Sequence, residues 1–340
     1  MKKIILLTTL AISVAYSQQL PQYTQYMLNP YLINPAVGGT TDHFDIKAGG
    51  RYQWLGFSSR LQDATLDYGV GPRTFYLTGH GHIGKDHQRM RGRHKNQNSW
   101  HHGLGFQVIM DRAGPTNHLI VQGSYSYDMS LKKNLRLSFG AFVGGNQWSI
   151  ATERIQLNDG SSGLGVGNQG FNFNRILPTM SFGTWLYHKY WYAGISIMDL
   201  LPFKTDLSAY NAVYTKTPSI TNRLTNHYYF TGGAMFHPNR DLAIIPSFLL
   251  KAVLGAPGVS VDINTKVRYK NMVWGGLSLR TSDAFAVLFG VLIDKKYEIG
   301  LSYDYTINST IRPVSGGTVE FMLGYRIDPR AHVMSPSDFW

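Results

Sequence analysis

The 340-residue chain has no cysteine, 43% hydrophobic but only 15% charged residues, and a formal charge of +12 with histidine neutral. The missing cysteines exclude a disulfide scaffold, and the apolar content excludes a disordered polymer. Its 36 glycines and 21 tyrosines favour many strands with tight turns over long helices, so an all-β fold is expected.

Residues 1–17 place two lysines ahead of an apolar run from Ile4 to Val14, followed by Ala15 and Ser17 at the −3 and −1 positions of a small-residue cleavage site. This predicts a secretory signal peptide. The run is well short of the ~20 residues of a membrane-crossing helix. Removing it takes Lys2 and Lys3 away and leaves an excess of ten positive charges.

Residues 18–42 hold two Asn-Pro steps and no clean period, and read as irregular turns that carry apolar side chains. Such a segment needs shelter. Tyr26, Asn29, Pro30, Asn34 and Pro35 are candidates to form either a plug that seals a lumen or a displaceable gate and handle for partners. Arg51 and Trp54, in the first predicted strand, are candidate lumen or girdle residues, or contacts for that plug.

From residue 44 onward the dominant signal is alternation. In 119–131, Leu119, Val121, Tyr125, Tyr127, Met129 and Leu131 share one face, and Gln122, Ser124, Ser126, Asp128 and Ser130 the other. Residues 259–269, 297–307 and 319–328 repeat the pattern. About fourteen strands are predicted, near 44–57, 72–83, 101–111, 117–131, 134–149, 177–188, 190–200, 226–237, 240–252, 257–269, 271–281, 284–293, 296–307 and 318–328. Most are longer than the ~5–6 residues usual in soluble sheets. They suit tilted strands crossing a bilayer.

Link lengths give a second test. Short turns at Lys132-Lys133, His188-Lys189, His237 to Arg240, Lys270-Asn271 and Asp294-Lys295 fall on one parity, predicted periplasmic. The long links near 150–176, 201–225 and 307–317 fall on the other, predicted extracellular. Tyr187, Tyr190, Trp191, Tyr192, Tyr269 and Trp274 bracket periplasmic turns, where an interfacial girdle is expected. A large soluble β-sandwich would also alternate, but it would not predict this alternation of links.

The one long link on the periplasmic parity is basic. Lys85, Arg89, Arg91, Arg93 and Lys95 face a single acid, Asp86, and six histidines lie at 80, 82, 87, 94, 101 and 102. It reads as a solvated loop or as a docking surface for an acidic periplasmic partner. Five fixed positive charges oppose a zinc site, so no metal and no cofactor is expected. No nucleic-acid-binding motif accompanies the charge. Gly165, Gly167 and Gly170 satisfy G-x-G-x-x-G without the strand and helix that a dinucleotide site requires, and read as loop. The Asn308-Ser309-Thr310 triplet is too short to carry weight. No H-E-x-x-H, G-x-S-x-G or Walker loop occurs, so no enzyme is expected.

The blocks QYTQYMLNPYLINPAVGG (22–39), RYQWLGF (51–57), GLGFQVIMDRAGP (103–115), YAGISIMDLLP (192–202), PSFLLK (246–251), WGGLSLR (274–280), IGLSYDYT (299–306) and SGGTVEFMLGY (315–325) together resemble the PorP/SprF family of type IX secretion membrane proteins. The resemblance implies a noncatalytic barrel in the outer membrane of a Gram-negative cell. It also implies a role in export or surface attachment of a subset of large adhesin-like cargo, in contact with the periplasmic lipoprotein ring or other secretion and gliding components. The closing motif departs from the family's usual Ser-His-Glu, with Gly317-Thr318-Val319-Glu320 in its place. The expected organisation is therefore a signal peptide (1–17), a plug or periplasmic segment (18–42), a transmembrane barrel of about 14 strands in outer-membrane lipid (43–328) and a tail (329–340). The alternative function is a plugged outer-membrane channel for hydrophobic small molecules.

Overall fold

A computed structural model describes residues 20–57, 71–83, 100–114, 116–132, 134–151, 172–201, 204–206, 221–223, 225–253 and 259–327. The signal peptide, the basic link 84–99, the Gly165–Gly170 loop and the tail 329–340 lie outside them.

Among the described residues seventeen strands run in chain order: β1 (Phe44–Tyr52), β2 (Arg73–Ile83), β3 (Trp100–Ala113), β4 (Thr116–Lys132), β5 (Leu135–Ala151), β6 (Asn172–His188), β7 (Trp191–Met198), β8 (Lys204–Asp206), β9 (Thr221–Arg223), β10 (His227–Ala234), β11 (Phe236–Asn239), β12 (Leu242–Val253), β13 (Val259–Tyr269), β14 (Val273–Arg280), β15 (Ala284–Ile293), β16 (Tyr297–Thr306) and β17 (Thr318–Ile327). β8 and β9 form a small separate ribbon in the link between β7 and β10. All the others form one antiparallel sheet in which successive strands pair, except β10 with β11; β7 pairs with β10, β10 with β12, and β1 with β17. β10 and β11 are one stave broken at Met235, so fourteen staves close the wall. All fourteen predicted strands are present.

Closure gives the staves ladder partners on both sides through most of the wall, which is what a strand needs in a medium without water. The polarity is that of a barrel in lipid. On β16, Ile299, Leu301, Tyr303 and Tyr305 are exposed outward while Glu298, Ser302, Asp304 and Thr306 are buried inward. On β4, Val121 and Tyr125 face out and Gln122, Ser124, Ser126 and Asp128 face in. No helix among the described residues is long and apolar enough to cross a membrane; the strands do so.

Two sequence expectations are corrected. β1 ends at Tyr52, so Trp54 is not a strand residue: it sits in the following turn at φ 55, its amide donating to Thr318 Oγ1 at 3.2 Å and its ring against Phe57. The aromatic girdle is also thinner than predicted. Tyr190, Trp191 and Tyr269 are exposed, but Tyr187, Tyr192 and Trp274 are buried on the inner face. Period two forces this result, because consecutive residues of a strand cannot all face lipid.

Candidate functional site

The buried interior gathers around residues 21–43. Two short 3₁₀ turns, Pro30–Leu32 and Pro35–Val37, each place proline first, where its fixed φ fits and its missing N–H is not needed. Tyr26, Leu28, Tyr31, Ala36 and Val37 are almost completely shielded from solvent. Burying each large apolar side chain contributes roughly 1.5–3 kcal/mol. Polar contacts then fix the register of this segment against staves on all sides.

At the end of the barrel where β1 terminates, Arg51 donates from Nη1 to Thr24 Oγ1 at 2.6 Å and to Glu320 Oε2 at 3.0 Å, and from Nη2 to Asp304 Oδ2 at 3.0 Å. Glu320 also accepts the backbone amides of Thr24 (2.8 Å) and Gln25 (3.1 Å), and the Thr24 hydroxyl donates to Asp304 Oδ2 at 2.6 Å. Arg280 continues the network to Asp262, Asp283 and Thr24, and Lys251 lies 2.9 Å from Asp262. Charges this deeply buried are tolerated only when paired and hydrogen-bonded, and here each carboxylate of the cluster meets at least one cation.

Moving down the segment, Asn264 donates to the Tyr26 hydroxyl at 2.5 Å, and Lys47 Nζ donates to Leu28 O at 2.7 Å and to Asp45 at 2.8 Å. Asn29 Nδ2 donates to Thr78 Oγ1 at 3.0 Å. The Tyr31 hydroxyl shares a hydrogen bond with Ser124 at 2.6 Å, and its ring packs on His80 and Phe142 at centroid distances of 4.5 and 5.0 Å. Asn34 Oδ1 accepts the Ala36 amide at 2.9 Å, capping the second turn, while Nδ2 reaches the wall carbonyls of Thr184 and Ile195 at 3.0 and 3.3 Å. Ser196 and Ser126 donate to the carbonyls of Ile33 and Gly38.

The wall makes room for this contact. A Cβ at Gly140 would lie 2.5 Å from Ala36 N, and one at Gly103 would lie 2.5 Å from Gly38 O. Both neighbours are backbone atoms that cannot swing aside, so only glycine admits the segment at these two strand positions.

The structure thus brings Tyr26, Asn29, Pro30, Asn34, Pro35 and Arg51 into one buried assembly and leaves Trp54 outside it. Thr24, Lys47, Asp304, Glu320 and Arg280 were not singled out from sequence, although alternation had already put Asp304 and Glu320 on the polar faces of their strands. The docking candidates Lys85, Arg89, Arg91, Arg93 and Lys95 lie outside the described residues. Of the histidines, His80 is buried beside Tyr31, and His82 contacts Thr41 O and the His101 ring. Among the described residues no group of three His, Asp or Glu could hold a metal ion.

A closed antiparallel wall, apolar outside and carrying its polar side chains inside, defines an outer-membrane β-barrel, and the protein resides in that membrane. The chain belongs to the family described as type IX secretion system membrane protein PorP/SprF, whose model matches residues 15–325. No functionally curated protein matches it. Among solved structures the chain is similar to a TodX deltaS2S3 mutant, a monoaromatic hydrocarbon channel, at 10% identity and TM-score 0.51 over 88% of this chain and 94% of that one. A Pseudomonas aeruginosa FadL homologue matches at 10% identity and TM-score 0.49, over 92% and 95% of the two chains. At such identity the first likeness speaks for the barrel fold alone.

Proposed function

We propose that this barrel is a noncatalytic component of type IX secretion that partners export or surface attachment of a subset of large adhesin-like cargo, with residues 20–43 acting as its plug. The observation that carries the reading, beyond family membership, is the filled interior. A barrel whose lumen holds its own chain through a buried ion-pair cluster and a series of directed hydrogen bonds is built as a fixed body on which other proteins assemble. The inward faces mix polar side chains with apolar ones such as Ile109, Ile120, Trp185 and Leu249, and the buried residues 23–41 are packed against them, which supports this reading over an open path for hydrophobic small molecules.

In this reading the links 150–176 and 201–225 meet cargo, and Lys85, Arg89, Arg91, Arg93 and Lys95 meet the periplasmic ring or other secretion components. Electrostatic complementarity would set the specificity and rate of that second contact. The test is purification of the native protein from outer membranes with identification of the chains that accompany it, before and after deletion of 84–99. Deletion should leave the barrel folded and deplete periplasmic components. Unchanged recovery of those components would remove the docking role, and recovery of no secretion component or cargo at all would overturn the assignment.

A further inference from the structure

At the barrel end that carries the short turns, one hairpin outgrows its neighbour. β10 pairs with β7 as far as Ala234 opposite Trp191, and the Met235 amide makes a last bond to Tyr190 O at 2.8 Å. There the β6–β7 hairpin turns back. β11 runs on for four residues, Phe236–Asn239, and pairs with β12 alone. At about 3.3 Å per residue the overhang is roughly 13 Å. The other side of the same hairpin is not open, because Leu242 pairs with Tyr269 and the Lys270 amide bonds to Asp241 O at 2.7 Å.

All four β11 residues are exposed, and they border an open groove of about 1030 Å³. Its charged lining is Lys189, Arg240 and Arg268 against Asp241, with His237 added. Exposed edges are usually blunted, and Pro238 could do this by withholding a donor. However, the register slips between Phe236 and Asn239, and Pro238 falls inside that slip. Over these four residues β11 has no second ladder partner, and the His237 ring lies 6.3 Å from that of Tyr190. The edge is therefore available, and its flanks are cationic.

We infer that the free edge of β11 is a docking site for an extended, acidic segment of a partner protein, which adds as a strand beside Phe236–Asn239 while its carboxylates meet Lys189 and Arg240. Main-chain bonds give such a contact its affinity, and the charged flanks give it selectivity. This deepens the proposed function by naming a surface and the chemistry of its partner.

The experiment uses the full barrel in detergent micelles and a fluorescent seven-residue peptide of alternating glutamate and valine. Comparison peptides replace glutamate by lysine, or keep glutamate but carry N-methyl groups along one edge. The acidic peptide should bind at least tenfold tighter than the lysine peptide, and N-methylation should cost at least tenfold. Lys189→Glu with Arg240→Glu, two exposed turn positions, should abolish the preference while the heat-modifiable gel shift of the folded barrel persists. Equal binding of acidic and basic peptides, undiminished binding of the N-methylated peptide, or displacement of the peptide by phosphatidylglycerol vesicles would each overturn the inference, the last by assigning the groove to a lipid headgroup. The copurification above reads whether secretion partners bind anywhere, so the two failures are distinguishable.

Discussion

Arg51 and Glu320 are direct cross-strand partners on β1 and β17, the first and last staves, and their side chains meet inside the barrel with Nη1 3.0 Å from Oε2. The seam that closes the wall is thus bridged by a buried ion pair that also grips the N-terminal segment at Thr24 and Gln25.

Removing one partner of that pair should be costly. Arg51→Met leaves Glu320 and Asp304 buried without their shared cation, and breaking a buried pair in this way costs about 3–5 kcal/mol. Urea unfolding in lipid vesicles, followed by tryptophan fluorescence, should show a midpoint shift of that size. In a double-mutant cycle with Glu320→Gln the two losses should fall short of additive by at least ~1 kcal/mol. Additive losses would mean that the two side chains do not interact.

The glycine seats make a second prediction. Gly140→Val puts side-chain atoms where Pro35 and Ala36 now lie, so the segment should be displaced while the staves still pair. The chain has no cysteine, so an introduced Ala36→Cys can be labelled cleanly. It should resist maleimide in the parent barrel and react within minutes in the Gly140→Val background. Equal protection in both would show that the segment is not seated against β5.

Asn34 and Asn29 should differ in weight. Asn34→Ala removes a turn cap and two bonds to wall carbonyls, whereas Asn29→Ala removes one bond to Thr78. Losses of about 2 and about 1 kcal/mol are expected. Hydrogen exchange of residues 24–40 should accelerate more in the first variant than in the second.

The lipid face makes the fourth. Phe289 lies mid-strand on β15 and is 54% exposed. Phe289→Arg should destabilise the vesicle-embedded barrel by about 2–4 kcal/mol, the cost of a cation at bilayer midplane. An unchanged unfolding midpoint would mean that this face does not meet hydrocarbon.

The staves were legible because period two is a local signal, written in neighbours such as Leu301, Ser302 and Tyr303. Their ends were less so. β7 stops at Met198, ahead of Asp199 at φ 55, and β5 and β6 extend to Ala151 and back to Asn172, past the predicted limits. Pairing across the lumen left no trace in the linear pattern: Arg51 meets Asp304 from 253 positions away, and alternation states which face a residue takes but not what stands opposite. Glycine misled in a different way. Its abundance pointed to tight turns, yet Gly103 and Gly140 lie within strands, where they clear space for another stretch of backbone.

The seam has a consequence for biogenesis. The stave holding Glu320 is synthesised last, and the wall has no closed form until it arrives beside the stave holding Arg51. Because Glu320 also accepts the amides of Thr24 and Gln25, the side chain that draws the final stave to the first is the same one that holds the stopper, so sealing and stoppering of the vessel share one anchor.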